Sequence, residues 1–510
     1  MIEARGISLG ANRITIEDLV AVVYKDEPVR LAPAAIRAVQ KGHSNLMERL
    51  SSGRAFYSLN TGFGALSGVT VPADKLKELQ TNLIRSHSSG TGEPFSLEIA
   101  RAALVITANS ITKGYSGCRR ILVDTLVAMI NRGVIPVIPA QGSIGASGDL
   151  IPLAHAAAVM IGEGEAYFRG KKRAAKEAMR KAGIPILKLE PREAVALTNG
   201  THLMTALGAL SVHRAERLNK LADIALAMSL ESILGLTASL DPDVHRLRPH
   251  PGQRATALNV RKMIRGSRLL ASHPYSKKIQ DAYSLRCGPQ IHGASKDAVR
   301  YCRSVLDVEI NSVTDNPLVF GDKVVSAGNF HGQPLAVSLD ALGIAMTVLG
   351  NVSECRIDRF MNPNLSGLPA FLAPDPGLHS GYMMAHYLSA ALTLENRGLA
   401  APGSVHSVPV SANKEDYNSN GLWCARKAWQ IIRNVENIIG IEILCAVQAL
   451  DFLKGKPGAG TEAARAIVRQ KVRPLKVDRI LQKDIHSVRE LIVSGRIIEA
   501  VEGTVGPLAA

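Results

Sequence analysis

The sequence predicts a mainly α-helical protein, an elongated bundle of long helices joined to a loop-rich but mostly helical N-terminal domain. Residues 203–236 run for more than thirty positions without proline, with apolar side chains three and four apart, the spacing that lines one face of an α-helix. Stretches of the same texture recur over 334–361, 382–397 and 421–452, the last opened by Asn420-Gly421. Residues 1 to about 200 are instead punctuated by glycine and proline, as NTGFG at 60–64, SGTGEP at 89–94 and VIPVIP at 134–139, and such punctuation cuts a chain into short helices and loops. The expected division is an N-terminal domain over 1–200 and a long-helix domain over 201–510 that ends in a helical cap.

Within the N-terminal part, residues 97–130 keep helical spacing but break near Gly114 and Gly117. Loops held on such a frame suit catalytic work. A thirty-residue helix is about 45 Å long at ~1.5 Å per residue, so several of them build an elongated bundle. Their broad apolar cover points to subunit packing as well as a core. No fixed-period repeat is visible, which argues against a solenoid. The apolar run 438–450 is shorter than the ~20 residues that cross a bilayer and carries Glu442 and Gln448, so it reads as a core helix and no membrane partner is expected.

Hydrophobic residues make up 46% of the 510 and charged ones 20%, a composition that can bury a sizeable core. The net charge of +16 raises the question of nucleic acid, but the basic residues are dispersed. The densest group, Lys171, Lys172 and Arg173 with Lys176, Arg180 and Lys181, shares an Ala-rich amphipathic stretch with Glu177 and reads as a solvated helix face. No base-reading motif accompanies it, so no nucleic-acid partner is expected. The six cysteines form no CxxC pair, which signals neither a zinc site nor a redox motif; no metal is expected. The N-terminus lacks a basic segment leading into an apolar one, and a cytoplasmic location is expected.

The most informative stretch is GSIGASGDLIPLAH at 142–155. On composition alone it is a tight turn feeding a helix, with Asp149 as the helix-start residue. The stretch does not stand alone. YSLNTGFG at 57–64, NLIRSHSSG at 82–90, ALTNGT at 196–201, QDAYSLRCGPQ at 280–290, TDNPLVF at 314–320 and GNFHGQP at 328–334 accompany it in order along the chain. Together these blocks resemble, nearly end to end, the family of histidine and phenylalanine ammonia-lyases and related tyrosine aminomutases.

The resemblance implies a self-made cofactor, 4-methylidene-imidazole-5-one (MIO), formed from Ala146, Ser147 and Gly148 with no external cofactor. The amide nitrogen of Gly148 attacks the Ala146 carbonyl with loss of one water, and Ser147 loses its hydroxyl as a second. The residue types suit this: glycine bends and puts no side chain against the attack, serine supplies a leaving hydroxyl, and alanine crowds neither step. The product is an electrophilic methylene carbon that no ordinary side chain offers. An amino acid needs it because its β-hydrogen is barely acidic and its ammonium leaves poorly.

By the same resemblance Tyr57 is the general base, and its phenol, ordinarily titrating near pH ~10, requires charge or hydrogen bonds to lower it. Asn199 and Tyr283 stand with it in the catalytic set. Arg286 is the clamp for the substrate carboxylate, since a guanidinium grips two oxygens at once. Gln280 and Phe330 match positions that line the cavity or touch the ring. His87, Met383 and Glu415 match histidine-lyase positions. Tyrosine aminomutases can share the Ser-His pair at 86–87, so His87 alone does not decide. Glu415 is the sharper sign, because a carboxylate facing the ring pocket accepts an imidazole N–H, whereas against a phenyl ring it would be desolvated without a partner. The expected reaction is elimination of ammonia from L-histidine to give trans-urocanate, by a homotetramer whose neighbouring subunits complete each site. A tyrosine or phenylalanine lyase, a 2,3-aminomutase and an inactive helical scaffold are the alternatives.

The chain departs from the histidine-lyase pattern at SANKEDYNSN, 411–420. Lys414 replaces a glutamine there and could pair with Glu415 or Asp416, and Tyr417 and Asn418 replace the usual His-Val. His386 also stands where many relatives have glutamine.

Overall fold

The computed structural model describes residues 6–50, 61–272 and 279–510, and these are mainly helical. The proline-free stretches form His202–Ser232, Gln333–Met361, Met383–Leu399 and Gly421–Leu450. The 97–130 region is two helices, Leu97–Ile111 and Arg120–Arg132, parted by left-handed Gly114 and Gly117. Pro33–Leu50 and Gly288–Glu309 are further long helices that the spacing did not single out. The first buries only a thin stripe, Ala35, Val39, Gly42 and Leu46, and the second sets buried His292 and Lys296 in its stripe, so the period is harder to read than in an all-apolar run.

The chain divides into two compact units, each drawn from three stretches: Met1–Ser211, Arg303–Asp340 and Pro402–Arg426 in the first, and Val212–Cys302, Ala341–Ala401 and Lys427–Ala510 in the second. The first unit carries the short strands. Ile7–Leu9 pairs in parallel with Val29–Leu31, Thr91–Pro94 pairs with Pro139–Gln141, and Leu318–Phe320 forms a hairpin with Lys323–Val325. A three-stranded antiparallel sheet places Glu165–Phe168 between Ile135–Pro136 and Lys171–Ala174. That sheet corrects the expected basic helix face. Arg169 and Gly170, both with positive φ, make a two-residue turn whose twist matches antiparallel strands. Lys171, Lys172 and Arg173 therefore lie on a strand, and only Ala175–Lys181 is helix. An ion pair between fully buried Arg192 and Asp315, 2.7 Å apart, ties the start of the Glu193–Thr198 helix to the hairpin segment.

The second unit is built on long helices that bury polar as well as apolar side chains. Ile224, Met346, Leu349, Ile431, Val435 and Ile438 are all fully buried, each contributing about 1.5–3 kcal/mol by leaving water. Ala459–Arg469, Gln482–Ser494 and Arg496–Val505 form a further helical group at its C-terminal side. Gln333–Met361 is long and apolar enough to cross a membrane, but 72% of its most apolar window is buried inside the protein, the mark of a core helix. Among the described residues no group of three His, Cys, Asp or Glu side chains is placed to hold a metal ion.

Candidate active site

The 142–150 segment cannot be ordinary helix or strand, because five of its residues have positive φ: Gly142, Gly145, Ser147, Gly148 and Leu150. Two of these are not glycine, so the surroundings must hold the loop in place. Asn420 donates its backbone N–H to Ile144 O at 2.9 Å, and Ser419 Oγ donates to Gly145 O at 3.3 Å. On the other side, Asp149 N–H donates to Gly200 O at 2.8 Å and Gly200 N–H to Ser147 O at 3.3 Å. Gly148 has φ +79°, and a Cβ built on it would sit 2.1 Å from Gly200 O. Only glycine fits there.

Asp149 departs from its expected role. The helix that follows it, Ile151–Met160, has no side-chain cap. The fully buried carboxylate instead accepts the N–H groups of Leu203 at 2.6 Å and Met204 at 3.3 Å, reaching across to the first turn of His202–Ser232, where orphan amides need acceptors. Burial pushes its carboxyl up to about 8, against the lowering effect of the two amides. The loop is thereby stitched to the start of a thirty-one-residue helix.

Ser147 borders a cavity of about 400 Å³, whose walls include Leu79, Leu83, Val195 and the 62–64 glycine loop. Three of the polar residues singled out in the sequence, His87, Asn199 and Glu415, open onto the same cavity. His87 ends the Leu76–His87 helix, with Nδ1 3.0 Å from Ser86 Oγ, and burial lowers its pKa. It is therefore neutral near pH 7. Asn199 follows the Glu193–Thr198 helix; its side-chain oxygen is buried and has no partner among the described residues. A buried acceptor in that state is costly unless a ligand supplies the donor.

Glu415 is set by a left-handed turn. Ser411, Ala412 and Asn413 all have φ between 50° and 64°, folding the chain so that Val410 and Glu415 pair backbone to backbone. Ser411 Oγ accepts the Ala65 N–H at 3.2 Å, joining this turn to the glycine loop. Burial raises the Glu415 pKa, and a hydrogen bond from Ser411 partly offsets that. Lys414 is exposed, and no ion pair joins it to Glu415 or Asp416 among the described residues.

Ala146, Gly148 and Phe330 belong to this first unit too; Phe330 is half-buried and does not border the cavity. Gln280, Tyr283, Arg286 and Met383 belong to the second unit. Three of those four form a cluster of their own: Arg286 donates to Gln280 Oε1, and its guanidinium lies 5.0 Å from the centre of the Tyr283 ring. Met383 opens the Met383–Leu399 helix. His386 in the same helix is 3.1 Å from Glu354, which raises its pKa through that hydrogen bond. Tyr57 lies outside the described residues. Sequence reasoning missed the cross-chain role of Asp149 and the linking role of Ser411; neither has a local signal, since their partners lie 54 and 346 residues away.

A family model for aromatic amino acid lyases matches residues 14–470. The chain belongs to that family. It is a carbon–nitrogen lyase by membership. It is 48% identical to a histidine ammonia-lyase of Gloeobacter violaceus, covering 97% of each chain, and 47% identical to one of Symbiobacterium thermophilum, covering 98% and 99%. Among solved structures it is similar to a histidine ammonia-lyase from Trypanosoma cruzi (TM-score 0.91, 40% identity, 98% and 96% covered). It is also similar to a tyrosine aminomutase from Streptomyces globisporus (TM-score 0.93, 36% identity, 99% and 100% covered).

Proposed function

We propose that this aromatic amino acid lyase eliminates ammonia from L-histidine to give trans-urocanate, using an MIO group made from Ala146, Ser147 and Gly148. The observation that carries the reading is Ser147, at the apex of a left-handed loop, bordering a cavity that also presents His87, Asn199 and Glu415. The loop fits the group: Gly148 is bent against the Gly200 backbone where no side chain is tolerated, and Asn199, whose buried side-chain oxygen has no partner among the described residues, borders the same cavity. The group would supply an electrophilic carbon that draws electrons from the substrate.

The chain's own residues bind and orient. Glu415 accepts an imidazole N–H, and that hydrogen bond repays the desolvation that raises its pKa. Neutral His87 contacts the ring or backbone of the substrate without adding charge, and Asn199 Oδ1 accepts a hydrogen bond. The leucine and valine walls exclude water, which strengthens each polar contact inside. Tyr57 removes the β-proton, Arg286 clamps the carboxylate, and Tyr283, Gln280, Phe330 and Met383 act on the substrate or the MIO ring, roles supported by the family resemblance.

We extend the reading to a cytoplasmic homotetramer in which neighbouring copies complete each site. The exposed apolar side chains Met384, Tyr387 and Leu394 of one helix support such packing, and six free cysteines suit a reducing compartment. Urocanate absorbs in the near ultraviolet, so purified protein with histidine is expected to show rising absorbance. No rise over hours, or a product found by mass only with tyrosine or phenylalanine, removes the assignment.

A further inference from the structure

The second unit buries a ladder of charges remote from its surface. Glu442, fully buried in Gly421–Leu450, accepts Arg356 Nε at 2.5 Å and Nη2 at 2.9 Å, Ser229 Oγ at 2.7 Å and Ser353 Oγ at 2.6 Å. Arg356 is 1% exposed. Its remaining nitrogen, Nη1, lies 3.3 Å from His292 Nε2, and His292 Nδ1 lies 2.9 Å from buried Asp223, which also holds Lys296 at 3.2 Å and Asn259 at 2.8 Å.

The ladder meets backbone at both ends: Asn259 and Lys296 donate to the Ala509 carbonyl at 2.8 and 3.0 Å, and Arg356 holds the other end. Arg356 Nη1 donates to the carbonyl of Ser284 at 3.1 Å. Ser284 lies in the middle of the one-turn helix Tyr283–Arg286, and an end-of-helix carbonyl needs an outside donor. The same segment is tied at its start by Asp281, whose Oδ2 accepts the Leu236 N–H at 2.5 Å. Burying a guanidinium–carboxylate pair costs several kcal/mol per ion, and apolar residues of similar volume often stabilise as well or better. Among the described residues, the backbone turn that Arg356 grips is the one that carries Tyr283 and Arg286.

We infer that Arg356 is a positioning residue for the carboxylate clamp: through the Ser284 carbonyl it fixes the turn that aims Arg286, and Glu442 fixes Arg356 in turn. The inference rests on the reading of Arg286 as the group that holds the substrate carboxylate.

The test uses two competitive ligands of the full-length enzyme: trans-urocanate, which has a carboxylate, and 4-methylimidazole, which has only the ring. Arg356→Lys keeps the charge but cannot span Glu442 and Ser284 together. It is expected to weaken urocanate about tenfold and to leave 4-methylimidazole within about twofold, a split that general loosening of the fold would not produce. In an Arg286→Met background the Arg356→Lys penalty on urocanate is expected to vanish, because the two act in series. Equal weakening of both ligands, or a penalty undiminished in that background, overturns the inference. Should Arg356→Lys fail to fold by circular dichroism, Glu442→Gln is read with the same ligands and the same criteria. Wild-type protein that neither turns over histidine nor binds urocanate overturns the functional reading and this inference with it; a competent wild type with the wrong variant pattern overturns this inference alone.

Discussion

Replacing Gly148 with alanine tests whether the loop geometry is as tightly imposed as the packing implies. Three costs add. An L-residue at φ +79° pays about 1–2 kcal/mol for the left-handed backbone. The new Cβ would meet Gly200 O at 2.1 Å, its C at 2.4 Å and its N at 2.8 Å, all backbone atoms that cannot swing aside. The loop must therefore part from Gly200, losing the Asp149 N–H to Gly200 O and Gly200 N–H to Ser147 O bonds, at about 1 kcal/mol each and more if the groups stay buried. The sum is roughly 3–6 kcal/mol of local stability, which is about a hundred- to ten-thousand-fold. Hydrogen–deuterium exchange at the Asp149 and Gly200 amides reads this directly. Gly133→Ala is the control: it has φ +69° with nothing within 4 Å of a Cβ, so only the backbone cost of about 1–2 kcal/mol remains. If Gly148→Ala leaves the two amides as protected as Gly133→Ala does, the steric argument for the loop is refuted.

Three further outcomes are expected. Glu415 accepts an imidazole N–H most strongly when ionised, and burial already raises its pKa while Ser411 lowers it; Ser411→Ala should move the acidic limb of the kcat/KM profile for histidine to higher pH, and an unmoved limb would remove Ser411 from the site. Burial raises Asp149 from 3.8 to about 8, so between those values the folded chain holds a proton that the unfolded chain releases. Stability from this group is full below the lower value and lost as pH rises through about 8; urea unfolding midpoints should fall across that range in wild type and fall less in Asp149→Asn. Lys414 is exposed and unpaired among the described residues, so Lys414→Gln should change kcat/KM for histidine by no more than about twofold, the range of ordinary surface substitutions, and a tenfold change would place its ammonium in the site.

The long helices were legible because apolar residues at helical spacing, uninterrupted by proline over thirty positions, leave a chain few other ways to bury them. The break at Gly114 and Gly117 was legible for the complementary reason. The 171–173 strand was not, because its basic, Ala-flanked composition matches a solvated helix and only the Arg169-Gly170 turn overrides it. At the site, His87, Asn199 and Glu415 were found through blocks of contiguous residues, and the cavity brings them to Ser147. What holds them was not legible. Asp149 reaches the amides of Leu203 and Met204, and Ser411 the amide of Ala65, pairings decided by tertiary folding of polar groups that are common everywhere in a sequence. Arg356 and Glu442 are likewise ordinary charges until their burial is known.

The condensation of Ala146, Ser147 and Gly148 is the step from which all the proposed chemistry derives, and the intact mass of the purified chain weighs it directly. The expected value is that of the encoded sequence less two waters, with the deficit confined to the peptide that contains residues 142–155 and absent from Ser147→Ala. A wild-type mass equal to the encoded one, from protein that turns histidine over, would contradict it.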